Sequence, residues 1–327
     1  MKKMLTCFLA LSLCAAALCL PAAAAENDLL ISPAPAAAPL GPVQVWGQAT
    51  QLESGSLLLK NSDKTALHQE VVIHLTETTP IVDAVSGLPM DASDIKNGDT
   101  VYAWVGPAMT MSLPPQASAV VVVANIPADF AVPQYYEISG LDQTVTAAVY
   151  PAPPRTQVNL PTASGEVLTI PVTAQVSPWL TKNIVTVDDL TPGTRILVWR
   201  GTDNVISRVQ MLPSQYQGWV SCGPEGQVSV NGEELSVKGK AVDGEVLVPI
   251  RAVAEAAGYQ VDWIAGKGAV VSASGKAVFS VLPGAETALT ADDEVYLGRP
   301  CVIEKGVTYL RDADLARLLN LFLSRDA

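Results

Sequence analysis

Only two histidines, His68 and His74, occur in 327 residues. Imidazole is the commonest metal ligand and general base, so their scarcity removes most routes to a metal centre or a His-based triad. Basic residues are also few, 20 against 32 acidic, for a net charge of −12. Nucleic-acid binding draws most of its affinity from Lys and Arg, so that partner is excluded. General electrostatic adhesion to anionic membranes or wall polymers is excluded on the same ground. Charged residues make up only 16% and hydrophobic ones 49%, a balance too apolar for a disordered chain. No Gly-x-Ser-x-Gly, Walker A, His-Glu-x-x-His or Cys-x-x-Cys string is present, and no calcium loop.

Three of the five cysteines, Cys7, Cys14 and Cys19, fall in the first 19 residues. There Lys2 and Lys3 precede an apolar run from Met4 to Leu20, followed by Pro21 and Ala23-x-Ala25. These are the parts of a secretory signal, with cleavage expected after Ala25. The run is shorter than the ~20 residues of a membrane span, and no cysteine follows the small residue that a lipoprotein signal needs. The expectation is a secreted or cell-surface protein, tied to the membrane only if residues 1–25 stay uncleaved. Without Lys2 and Lys3 the charge is −14. Cys222 and Cys301 remain, and two readings stand: a disulfide, as export permits, or two buried thiols. No wall-sorting Leu-Pro-x-Thr-Gly string follows.

Residues 26–42 are rich in Pro and Ala and read as an extended linker. Beyond them short alternating runs read as strands, and one pattern occurs twice. DIKNGDTVYAWVG and DLTPGTRILVWRG match at Asp94/Asp189, Gly98/Gly193, Trp104/Trp199 and Gly106/Gly201, all 95 residues apart. In each, a glycine turn leads into a half-buried strand ending in Trp-x-Gly. The reading is two tandem β-barrel or sandwich domains, 43–130 and 131–217, then a linker, 218–226. In 227–327, QVSVNGEEL reads as a hairpin turning at Asn231-Gly232, and another turns around Gly275. Between them Pro249 suits the first position of a helix. Ile250, Val253, Ala254 and Ala257 give that helix an apolar face, and Gly258 suits its end. Tyr259, Val261 and Trp263 then alternate as a strand. Leu315, Leu318, Leu319 and Phe322 predict a second helix, with Asp312 and Asp314 at its start.

VPIRAVAEAAGYQVDW resembles the signature of the copper amine oxidase N-terminal, or stalk, domain. The resemblance rests on Val248, Pro249, Arg251, Ala254, Glu255, Gly258, Val261 and Trp263, with Ile250 for the usual leucine. Thr308-Tyr309-Leu310-Arg311 resembles a weaker second copy. The resemblance implies an α+β domain with two short helices packed on antiparallel strands. It also implies no catalysis, since the stalk domain is not the oxidase's catalytic part. The residues disfavour the oxidase chemistry itself. Copper there needs three histidines, and the nearest string to the cofactor tyrosine, VPQYYEI, has Tyr135 and Val132 where Asn and Thr belong. No cofactor or metal is expected.

The remaining candidates each carry a structural alternative. Met109 and Met111 form a soft pair that could hold Cu(I), a contact loop, or a packed hairpin connection. Arg251 sits in the first helical turn, unfavourable for a cation, which points to a partner such as Glu255 or Asp262, or to an anion. His68 and His74 read as half-exposed strand residues. The reading is a mainly β, non-enzymatic binding or scaffolding protein that engages the cell wall or another exported protein. Its alternatives are a wall hydrolase using acids such as Asp94 and Asp189, and an extracellular copper carrier.

Overall fold

The computed structural model describes residues 41–325 apart from 67, 143–154 and 182. The expected export signal, and the linker up to residue 40, lie outside the described residues.

Alternation in runs such as LLLK and EVVIH puts every second side chain on one face. In the first unit these faces close on each other. Its strands are β1 (Val43–Gln51), β2 (Leu57–Lys60), β3 (Glu70–His74), β4 (Ile81–Asp83), β5 (Thr100–Val105) and β6 (Gln116–Ala124). β1 pairs antiparallel with β2 and β5, β2 with β3, and β5 with β6; β3 then lies parallel to β6 and completes the ring. The result is a five-stranded Greek-key barrel with the connectivity of an OB-fold. Leu57, Leu59, Ile73, Val101 and Val122 fill it. β4 adds at the outside, parallel to β6.

The second unit follows the same order: β7 (Gln134–Glu137), β8 (Gln157–Pro161), β9 (Val167–Pro171), β10 (Gln175–Ser177), β11 (Arg195–Arg200) and β12 (Ile206–Met211). β11 joins β7 to β12 as β5 joins β1 to β6, and β10 runs parallel to β12 as β4 does to β6. β8 and β9 form a separate hairpin, tied to the end of β7 by an Ile138–Thr162 bridge.

The repeated pattern does three structural jobs. Asp94 and Asp189 each end a 3-10 turn and accept a backbone N–H at its start, from Asp91 (3.3 Å) and Thr186 (2.7 Å). Gly98 and Gly193 take φ of 94° and 83°, which a side chain would resist. Trp104-x-Gly106 and Trp199-x-Gly201 each carry a register shift just after the tryptophan. Such a bulge bends the strand and re-aims its side chains. Both tryptophans thereby enter one shared cluster between the units, with Val82, Val121, Val123, Leu197 and Leu212. One strand thus serves two cores: Ile196 and Val198 face the second unit's interior, and Leu197 and Trp199 face the first unit. The Trp199 indole donates to the Ala84 carbonyl at 2.7 Å, and Arg208 lies 3.9 Å over its ring.

The third part holds β13 (Gly218–Cys222), β14 (Val228–Val230), β15 (Glu233–Glu234), β16 (Lys240–Val242), β17 (Glu245–Pro249), α1 (Ile250–Ala256), β18 (Gln260–Ile264), β19 (Gly268–Ala273), β20 (Lys276–Val281), β21 (Thr287–Thr290), β22 (Glu294–Tyr296), β23 (Val302–Glu304), β24 (Val307–Arg311), α2 (Asp312–Leu318) and β25 (Leu321–Arg325). The chain is therefore mainly β with a C-terminal α+β domain. Three small sheets, β15-β14-β13-β25, β16-β17-β24-β23 and β18 to β22, share one core with both helices. Hairpins turn at Asn231-Gly232 and Ser274-Gly275. α1 ends as its sequence predicts: Gly258 has φ 87°, its N–H donates to Glu255, and the Tyr259 N–H reaches back to Ala254, a Schellman cap.

Several expectations need correction. Gly218–Cys222, read as linker, is a strand that pairs parallel with β25. Phe322 lies on β25, because Asn320 adopts φ 52° and ends α2 after Leu319. Pro249 precedes α1 as its cap residue. The second copy aligns two residues away from the expected register. Arg311 is the residue before α2 and so stands where Pro249 stands, not Arg251. Of the two readings open for Cys222 and Cys301, the structure has the buried thiols and not the disulfide, with both in the shared core. There they behave as small apolar residues, and burial pushes the Cys301 thiol up to about 11.

Candidate functional site

The signature residues converge on one groove. β17 leads directly into α1, which brings Pro249, Arg251 and Glu255 to one wall; the Gly258 cap turns the chain so that β18 supplies Val261, Asp262 and Trp263 to the floor. The β23–β24 hairpin also lines it, with Ile303 and Thr308, as does Val237. The groove encloses about 590 Å³, within the range of ligand-binding clefts. Trp263 is 54% exposed although Val261, two residues earlier on the same strand face, is buried. The strand outruns the core at its end and leaves the indole on the groove.

Arg251 finds its partner in Glu255, at 2.9 Å, and also donates to the Val261 carbonyl. Both side chains of the ion pair are about half exposed, so the pair contributes little to stability; its geometric role is to tie α1 to β18. Asp262, the other expected partner, is not bonded to it. The same domain holds a second charged group. Asp314 is buried, its side chain 2% exposed, and accepts from Arg311, Arg317 and the Gly298 N–H. Arg311 and Arg299 both also hold Glu245. Burial acts to raise the Glu245 carboxyl, but the two guanidinium groups outweigh it and hold it below the usual range. Asp312, equally buried, pairs with Arg325. Both acids stand in the first turn of α2, as the sequence predicts, and there they also serve as internal ion-pair partners.

The other candidates lie apart. Met109 packs against the first barrel's core, whereas Met111 is fully exposed, so the two thioethers are not turned to one site. His74 uses both ring nitrogens, on Ser56 and Gln116 at 2.9 Å each, and His68 lies in the loop before β3. Among the described residues no three His, Cys, Asp or Glu side chains gather as a metal site. The donor set therefore does not fit a copper centre. No helix among the described residues is long and apolar enough to cross a membrane.

Residues 229–326 match the family described as copper amine oxidase N-terminal domain. That is a non-catalytic domain of the oxidase, and the matched segment contains the whole groove. No curated protein matches the chain.

Proposed function

We propose that this chain, a β-barrel and a second β unit followed by a non-catalytic domain, is an exported binding and scaffolding protein of the cell surface. On this reading the C-terminal groove engages a wall polymer or another exported protein, and the two β units act as a rigid spacer. The observation that carries it is convergence. Pro249, Arg251, Glu255 and Trp263 are spread over 15 positions of the sequence yet line one open groove, with an aromatic side chain left exposed. Exposed aromatic residues in concave sites are typical binding anchors. The hydrolase alternative is weakened because Asp94 and Asp189 are occupied in capping turns. The copper alternative is weakened by the divergent placement of Met109 and Met111.

Co-sedimentation of the protein with purified Gram-positive walls, at low and high salt, tests the reading. Salt-resistant sedimentation that Trp263→Ala abolishes is expected. If the protein stays in the supernatant, and also captures no exported protein in a Trp263-dependent way, the reading fails.

A further inference from the structure

We infer that the groove takes an extended basic peptide of an exported partner, which adds as a strand to the free edge of β18. The inference rests on the binding-module reading above and names the ligand class for that site.

Among the described residues β18 is an edge strand, paired only with β19. In an antiparallel pair, alternate residues turn their N–H and C=O toward the neighbour and the others turn them away. The Val261 carbonyl receives Arg251, so Val261 belongs to the outward set. Trp263, two residues on, shares its orientation. The outward row of β18 therefore faces the groove. Arg251 uses one lone pair of the Val261 carbonyl and leaves the second. An unprotected edge is a template for strand addition; here Arg251 guards the edge at the Val261 carbonyl, and the exposed Trp263–Ile264 end is the part left for pairing. It carries neither proline nor lysine, and its exposed residues include Trp263 and Ile264.

The two faces of the edge specify the added strand. Trp263 shares the groove with the apolar side chains of Ile303 and Val237, 46% and 38% exposed. Asp262, whose side chain alternates with those of Val261 and Trp263 along β18, also lines the groove and makes no ion pair among the described residues, while Glu255 is already matched by Arg251. An added strand places alternate side chains on these two faces, and opposite charges directly across a strand pair attract. The matching ligand alternates apolar and cationic residues, in keeping with a protein of net charge −12.

The test is fluorescence anisotropy of the whole protein with labelled eight-residue peptides. A Lys/Val alternating peptide should bind. A Glu/Val peptide should bind about tenfold more weakly or worse, and Asp262→Asn should narrow that gap. Two N-methylated forms of the Lys/Val peptide separate backbone pairing from simple charge. Methylation of the alternate amides that face β18 should weaken binding about tenfold or more, the equivalent of one or two lost hydrogen bonds, whereas methylation of the other set should not. Trp263→Ala should abolish binding. Equal effects of the two methylation patterns, no binding of the Lys/Val peptide at millimolar concentration, or competition by wall glycan fragments alone overturns strand addition. If walls still sediment the protein in a Trp263-dependent way after such a result, the binding-module reading survives; if they do not, both fall.

Discussion

Trp199→Phe isolates what holds the first barrel and the second unit together. Trp199 is 6% exposed and crosses the boundary between them: its indole N–H donates to the Ala84 carbonyl of the first barrel. Phenylalanine keeps one six-membered ring and removes the donor. Stranding a buried carbonyl costs ~1–3 kcal/mol, and the lost ring volume adds about 1 kcal/mol. Arg208, which stacks on the indole and donates to Val85 and Ser86 of the first barrel at 3.0 Å each, loses ~0.5 kcal/mol of cation–π attraction. The sum is about 2.5–4.5 kcal/mol. Trp104 is the internal control. It occupies the same repeat position and the same cluster, but its indole makes no hydrogen bond among the described residues, so Trp104→Phe should cost only the ~1 kcal/mol of packing. Urea unfolding followed by far-UV circular dichroism compares the two without relying on tryptophan fluorescence. A multidomain chain need not unfold in one step, so the comparison is made on the transition that Trp199→Phe moves. If Trp199→Phe costs no more than Trp104→Phe, the boundary hydrogen bond is not what distinguishes the two tryptophans, and the argument fails.

Three further outcomes follow from the C-terminal domain. A Cβ on Gly298 would overlap the Arg311 guanidinium, so Gly298→Ala should displace Arg311 from buried Asp314. Loss of a partner from a buried charge costs ~3–5 kcal/mol; Arg317 remains and Arg311 is partly solvated, so about 2–3 kcal/mol is expected in thermal unfolding, and a neutral substitution would contradict the account. Glu245 is held below its ordinary pKa, so its contribution is present above the unfolded value of about 4.3 and is lost as pH falls through the folded one. The stability gap between wild type and Glu245→Gln should therefore be widest near neutrality and close in acid, as urea midpoints across pH will read. Finally, iodoacetamide at pH 8 should modify Cys301 slowly in the native protein and rapidly in urea, because burial raises its thiol. Peptide mapping that finds Cys222 joined to Cys301 would refute the two-thiol core.

Local chemistry made much of this fold readable. The tandem units announced themselves because the turn glycine, with its positive φ at Gly98 and Gly193, and the Trp-x-Gly string recur at one fixed spacing. α1 was equally plain, since Pro249, the apolar face and Gly258 mark its start, side and end within ten residues. What stayed hidden was non-local. β13 pairs with β25 across about a hundred residues, and nothing near Gly218 encodes its partner. The helical spacing of Leu315, Leu318 and Leu319 runs on to Phe322, but Asn320 stops it; Asn at that position was the available signal. The groove was half visible. Its floor and one wall lie in the signature, but Ile303, Thr308 and Val237 come from segments that no local pattern links to it. Trp263 reads as a core residue by its chemistry, and only its position at the strand's end leaves it exposed.

The parallel pairing of β13 with β25 has a mechanical consequence. The first strand of the C-terminal domain and its last lie side by side and run the same way, joined from Gly218–Leu321 to Cys222–Arg325. A pull on the chain before Gly218 and after Arg325 would load all five residue pairs at once, in shear, where an antiparallel pair pulled from the same side would open one rung at a time. Force would then meet the whole ladder before reaching the groove.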